Sequence, residues 1–201
     1  MPDSILKTQT NDREWVIELA GRSKYRFRLS KVNRIIPNEH LAVIKIPDNT
    51  PEIIGAYALD DEQALLAKVR YNRLIDIFLG LTTYSLQNHL RTSVKGVGQI
   101  EIDELYVGID KYGCHYVIPV QAKGGTDQIS MVQTAQDTAW CNQKYPDVRC
   151  RAISAQFITC DLIALFELKI EDDQIKVIEE RHYKLVPSSE LDRKEVSDYR
   201  Y

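Results

Sequence analysis

Apolar and polar residues alternate most regularly between Gln99 and Gly125, QIEIDELYVGIDKYGCHYVIPVQAKGG, and the pattern predicts a β-hairpin. Strand side chains alternate with period 2, so Ile100 and Ile102 share one face while Glu101 and Asp103 share the other. In the second strand Ile118, Val120 and Ala122 form an apolar face, and Gln121 and Lys123 point the opposite way. A loop of Lys111, Tyr112 and Gly113 suits the hairpin type in which a type I turn is followed by a left-handed glycine. That loop sets a register with Asp103 opposite Gln121 and Glu101 opposite Lys123. Opposed residues share a face with Cβ atoms roughly 5 Å apart. A slip of one residue would send the acids and the lysine to opposite faces.

The same reading predicts the flanking elements. Gly124-Gly125-Thr126 follows the hairpin, with Thr126 as a helix N-cap. Ile129, Val132, Gln136, Ala139 and Trp140 then recur at helical spacing, so a helix runs to Tyr145-Pro146. A further strand is expected over Val148 to Phe157. Upstream, Thr83 to Thr92 (TYSLQNHLRT) reads as a short helix stopped by Gly96 and Gly98. Asp61 to Leu79 reads as one helix, with Leu65, Leu66, Val69, Ile75 and Phe78 for packing. Trp15 to Leu29 suggests a hairpin turning at Ala20-Gly21-Arg22, and Leu41 to Ile46 a strand. Thr50-Pro51-Glu52 reads as an N-cap with proline at the first helical position. Leu162 to Ile170 and Ile175 to Tyr183 form a hairpin around Asp172-Asp173 that extends the sheet or makes a dimer contact. The closing SSELDRKEVSDYRY is polar, a loose tail or a short helix.

Composition adds bounds rather than a function. The 201 residues suit one domain, or a core with an N-terminal extension, and 44% hydrophobic and 27% charged residues are ordinary for a globular protein. The N-terminus MPDSILKTQTNDRE lacks a signal peptide's regions and no apolar run is of spanning length, so a cytoplasmic protein with no membrane partner is expected. Cys114, Cys141, Cys150 and Cys160 show no CxxC spacing and have no histidine cluster beside them, which argues against zinc and for reduced thiols.

Net charge is −3, which in total counts against nucleic-acid binding, but distribution matters more than the sum. GRSKYRFRLSKVNR, from Gly21 to Arg34, carries six Lys or Arg and no acid. Tyr25, Phe27 and Leu29 alternate with Lys24, Arg26 and Arg28, so a strand here has one apolar and one cationic face. Such a face suits phosphate contacts, which give affinity without sequence information, and it equally suits an ordinary wet surface. Lys68, Arg70 and Arg73 add positive charge to the Asp61–Leu79 segment, and Arg91 is a further candidate phosphate ligand.

The hairpin resembles the core of the PD-(D/E)xK nuclease superfamily, the restriction-endonuclease-like fold. Its signature is an acid in one strand and an acid-x-lysine triplet in the next. Asp103 matches the first acid, and Gln121-Ala122-Lys123 matches the triplet with glutamine in the acid position, similar to the QxK triplet of Mrr-type enzymes. The match spans about Thr83 to Phe157, and the signature is short and degenerate. An exposed strand bearing Glu, Asp and Lys also fits a solvated face with cross-strand charge pairs. The resemblance implies an α/β fold with an αβββαβ-type core, a mixed sheet flanked by helices. Residues 1–82 would be a β-rich and helical N-terminal extension with a DNA-contacting region. Residues 83–201 would be the nuclease core with a C-terminal β-hairpin; one compact domain overall is the alternative.

The resemblance further implies a Mg2+-dependent endonuclease hydrolysing DNA phosphodiester bonds in restriction or host defence, with Mn2+ able to substitute. Asp103, the Ala122 carbonyl and the Gln121 side-chain oxygen would hold the metal. Lys123 would orient the attacking water or stabilise charge on the phosphate. Because an amide is neutral, Glu101, Glu104 or Glu62 would supply further charge, Glu62 standing for the acid that many members carry on a helix before the core. Gln133 and Gln136 resemble helix glutamines near some superfamily sites. Duplex cleavage by a small site per chain favours a homodimer. The alternatives are a catalytically inactive nucleic-acid-binding protein of the same fold and a structure-specific recombination or repair nuclease; RNA remains open as a substrate.

Overall fold

A mixed sheet of eight strands carries the chain in the computed structural model, which describes residues 13–198 apart from 22–23, 31–33, 58–61, 125–126, 128 and 173. In chain order the elements are β1 (Glu14–Leu19), β2 (Tyr25–Ser30), β3 (Arg34–Ile35), β4 (Val43–Pro47), α1 (Glu52–Tyr57), α2 (Glu62–Tyr71), α3 (Leu74–Leu79), β5 (Thr82–Val94), β6 (Gly98–Ile109), β7 (His115–Lys123), β8 (Ile129–Ser130), α4 (Met131–Lys144), β9 (Arg149–Cys150), β10 (Ala152–Phe157), β11 (Leu162–Glu171), β12 (Gln174–Val186), a 3-10 turn (Ser188–Glu190) and α5 (Arg193–Asp198). The sheet order is β4-β12-β11-β10-β7-β6-β5, with β9 also beside β7. Strands β4 and β12 are parallel, as are β7 and β10, while β5–β6–β7 and β10–β11–β12 run antiparallel. With the two-residue β8 and β9 set aside, the order from α2 to β10 is a helical pair, three antiparallel strands, a helix and a parallel strand.

The β6–β7 hairpin keeps the predicted register from Ile109↔His115 to Glu104↔Val120, where the ladder ends, short of the expected Asp103–Gln121 and Glu101–Lys123 pairs. Gly113 sits at φ 83°, where a side chain would be strained. The Asp110 N–H donates to the Cys114 carbonyl at 3.1 Å, and the Asp110 carboxylate accepts from the Tyr112 and Cys114 N–H groups, both at 2.9 Å.

Several expectations are corrected. Thr83–Thr92 is not a helix but most of β5, an edge strand exposed throughout from Tyr84 to His89, whose ladder is broken by a bulge between Ser85 and Gln87 and by left-handed His89 at φ 46°. The segment 62–79 is two helices, because Arg73 turns left-handed at φ 53°. Buried Asn72 fixes that break by accepting from Asn49 N–H at 2.6 Å and donating to Thr50 Oγ1 at 3.0 Å. Helix α4 starts at Met131 with Ser130 as its N-cap, the hydroxyl accepting from Val132 N–H at 3.2 Å; Ile129 belongs to β8. Thr126 lies outside the described residues, as do Arg22, Lys31, Asp61, Gly125, Asp173 and both chain ends. The strand expected over Val148–Phe157 is two, β9 and β10. The C-terminal hairpin extends the sheet through β11 and β12.

Two layers cover the sheet. On one face Leu65, Leu66 and Val69 of α2 and Leu74, Ile75 and Phe78 of α3 pack on Ile118, Val120, Ala122, Ile153, Ala155, Ile163 and Leu165. Each such side chain contributes roughly 1.5–3 kcal/mol on burial. Residues on both sides of position 82 therefore share one core. On the other face, α4 spans two apolar clusters: Met131 lies with Ile129, Ala164 and Phe166, and Trp140 and Cys141 with Ile102, Leu105 and Val117. Among the described residues no helix is long and apolar enough to cross a membrane.

Candidate functional site

The β6–β7 ladder ends where the predicted site begins. Ile102 and Leu105 pack in the same cluster although they are three positions apart, so strict alternation in β6 breaks around Asp103. Freed from the ladder, the Ala122 N–H donates to Asp103 Oδ2 at 2.9 Å. The side chain thus takes a bond that a strand backbone would normally make. Burial raises the Asp103 pKa and the negative charge of Glu62 adds to this, against the lowering effects of that backbone bond and of Lys123.

Lys123 closes the other side. Its Nζ donates to Glu62 Oε1 at 3.2 Å, which brings the first turn of α2 to the end of β7. Of the three acids offered as a supplement to Asp103, the geometry brings Glu62 to the lysine. Glu101 turns to β5 instead, against His89 Nδ1 and Arg91 Nε at 3.1 Å each. Glu104 is fully buried facing α2, accepting from Arg70 Nε at 2.9 Å and Ser85 Oγ at 2.5 Å. Glu101 facing Lys123 and Glu104 joining the site are therefore both corrected.

Helix α4 contributes residues that its amphipathic pattern did not single out. Gln121 is buried, and its Nε2 donates to Thr134 Oγ1 at 3.1 Å and to Asp137 Oδ2 at 3.2 Å. Thr134 and Asp137 lie in the buried stripe of α4 with Met131, Trp140 and Cys141, and polar residues in such a stripe are the signal that points to them. Burial pushes the Asp137 carboxyl up to about 8; the Gln121 bond lowers it, the Asp103 charge raises it and Lys123 lowers it. Parallel strand β10 sets Ser154 beside Gln121 and Gln156 beside Lys123, both buried. Gln133 and Gln136 line a surface groove with Trp15, Ile17 and Glu101.

The arginines expected to meet phosphate all have carboxylate partners. Arg26 and Arg28 both reach Glu18, at 2.6 and 2.7 Å. Arg70 holds Glu104, Arg73 holds Asp76 at 2.7 Å and Arg91 holds Glu101. The cationic stripe of β2 is thus offset in part across the β1–β2 hairpin, two arginines sharing the single Glu18, while Tyr25 and Phe27 of its apolar side are exposed.

Chemically, the site offers one partly buried carboxylate, a lysine held by a second acid, and a buried amide. The Oε1 of Gln121 has no hydrogen-bond partner. Among the described residues no group of three or more His, Cys, Asp or Glu is close enough to hold a metal. A hard cation needs only one or two carboxylates when carbonyl, amide and water oxygens complete its shell. Asp103, the Ala122 carbonyl and Gln121 Oε1 fit that requirement. No known protein family, curated protein or solved structure matches the chain.

Proposed function

We propose that the protein is a Mg2+-dependent nuclease with a restriction-endonuclease-like core, acting on DNA. The observation that carries this reading is a pair of links, from Asp103 in mid-β6 to the Ala122 N–H of β7 and from Lys123 at the end of β7 to Glu62 in the first turn of α2, with Gln121 next to Ala122 on β7. The αβββαβ order of the elements also supports it, with α2 and its Glu62 preceding the strands that carry Asp103 and Lys123. Asp103, the Ala122 carbonyl and Gln121 Oε1 would hold Mg2+, or Mn2+ in its place, which supplies Lewis-acid polarisation of a phosphate and a more acidic water. Lys123 directs its ammonium toward charge developing on the phosphate, and Glu62 keeps that ammonium at the mouth of the site rather than in bulk water. Asp103 fixes the β7 backbone through the Ala122 N–H and so sets where the Ala122 carbonyl points.

Two such sites related by a two-fold axis would match the symmetry of duplex DNA, so a homodimer goes with the proposal. A role in restriction or host defence follows from the same reading. The internal pairing of Arg26, Arg28, Arg70, Arg73 and Arg91 favours one second reading, a protein of the same fold with weak or structure-selective DNA contact. Plasmid DNA incubated with the protein, with Mg2+ or with chelator, tests the main reading. Cleavage that needs Mg2+ and is lost in Asp103→Ala and Lys123→Ala is the expected result; equal behaviour of wild type and both variants overturns it. Cleavage confined to branched substrates would favour the second reading.

A further inference from the structure

The buried polar strip under α4 assigns a residue to the site that its strand motif does not contain. Thr134 Oγ1 donates its hydrogen to the Ser130 carbonyl at 3.2 Å, so toward Gln121 it can only accept. Asp137 Oδ2 lies 3.2 Å from the same Gln121 nitrogen. The amide of Gln121 therefore has one permitted orientation: Nε2 faces α4, where it meets both oxygens, and Oε1 faces away. That oxygen is buried and unpartnered, as are Asp137 Oδ1, Ser154 Oγ and the Oε1 of Gln156. Buried acceptors are normally satisfied, so a strip with several unsatisfied ones calls for a donor or a cation. Gln121 is 2% and Asp137 1% exposed, so neither can meet that need by turning to solvent.

From this geometry we infer that Asp137, with Thr134, is a positioning residue that holds the Gln121 amide by its nitrogen and so presents Oε1 to a divalent cation beside Asp103. This rests on the metal-site part of the proposed function and deepens it. It also gives a reason for glutamine in the acid position of the triplet. A glutamate there would set a second carboxyl group against Asp137 across the β7–α4 contact, facing a Thr134 oxygen whose hydrogen goes to Ser130, whereas the amide complements both. Acid and amide are a matched pair, and the pair, not the single residue, is the functional unit. An exchanged pair, Gln121→Glu with Asp137→Asn, restores the acid–amide match: the asparagine amide and a Thr134 hydroxyl turned from the Ser130 carbonyl donate to one glutamate oxygen, and the other faces the cation.

The test measures Mn2+ binding by titration calorimetry and thermal melting in chelator for wild type, Asp137→Leu, Gln121→Glu and the double variant Gln121→Glu/Asp137→Asn. Removing a group that orients a metal ligand typically costs roughly 10- to 100-fold in affinity. A loss of that size is expected for Asp137→Leu. Gln121→Glu is expected to melt below wild type in chelator, and the double variant to recover both melting and Mn2+ binding. Wild-type affinity in Asp137→Leu, or a double variant no better than Gln121→Glu, overturns the inference. If Asp137→Leu does not fold, the comparison of Gln121→Glu with the double variant decides alone. Absence of Mn2+ binding by wild type also overturns it. Plasmid cleavage is read in parallel: Mn2+ binding that follows the pattern above without any cleavage overturns the nuclease reading and leaves the pairing intact. Cleavage by wild type without rescue in the double variant does the reverse.

Discussion

Lys123 Nζ lies 3.2 Å from Glu62 Oε1, joining the last residue of β7 to the first of α2. The pair is only partly enclosed, the lysine side chain 15% and the glutamate 39% exposed. Exposed pairs contribute about 0–1 kcal/mol to stability, so the contact is a weak staple. Its value lies in where it holds the ammonium. Glu62→Gln is expected to leave the urea midpoint almost unchanged while lowering plasmid cleavage by an order of magnitude or more. A parallel fall in stability and activity would mean that the pair is structural.

Arg70 and Glu104 behave differently. Glu104 is fully buried and Arg70 is its charged partner, with Ser85 as a second donor. Removing one member of a buried ion pair leaves the other charge uncompensated, at a cost of about 3–5 kcal/mol. Arg70 is itself 36% exposed, so water reaches part of the pair and a loss of about 2–3 kcal/mol is expected for Arg70→Ala. Equilibrium urea unfolding measures it. Glu104→Gln, which keeps a neutral acceptor for Arg70 and Ser85, should cost less. If Arg70→Ala instead weakens DNA binding at unchanged stability, the arginine belongs to a nucleic-acid surface.

Gly113 closes the turn from which the β6–β7 ladder runs. Its φ of 83° is one that an L-residue adopts at a cost of roughly 1–2 kcal/mol. Gly113→Ala is expected to lower the melting temperature by a few degrees, while Gly113→Asn, which tolerates the left-handed region, loses less. Equal losses for the two would show that the loop adopts another turn.

The central hairpin was legible because its sequence alternates at the two outer ends and a left-handed turn residue joins the strands at the right spacing, although the alternation breaks around Asp103. Edge strand β5 was not. TYSLQNHLRT is exposed on both sides from Tyr84 to His89, and its bulge near Leu86 and left-handed His89 leave no period-2 signal. The break between α2 and α3 carries no glycine or proline; Asn72 makes it through bonds to Asn49 and Thr50, a tertiary cause. The basic stripe of β2 left phosphate contact and an ordinary wet surface equally open, because Glu18, which the two arginines share, comes from the facing strand. Asp137 looked like one more polar helix position. Its burial becomes meaningful only once Gln121 is known to lie beneath it.

Asp137 also gives the metal-free protein a pH dependence of definite sign. Burial pushes its carboxyl from the ordinary 3.8 up to about 8 in the folded state. Between those values the folded chain holds a proton that the unfolded chain has released. Stability therefore falls as pH rises through this window, by up to about 1.4 kcal/mol per pH unit, and is greatest near its acid end. Asp103, also raised, acts in the same direction. Carboxyls that are lowered, such as Glu18, Asp48 and Asp161, oppose this only below their ordinary values of 4.5 or 3.8, outside most of the window. Urea midpoints measured in chelator from pH 5 to pH 8.5 should decline for wild type and decline much less for Asp137→Asn, which cannot ionise. Identical slopes for the two proteins would show that Asp137 is already charged at pH 5 and that the strip under α4 holds a compensating cation or open water.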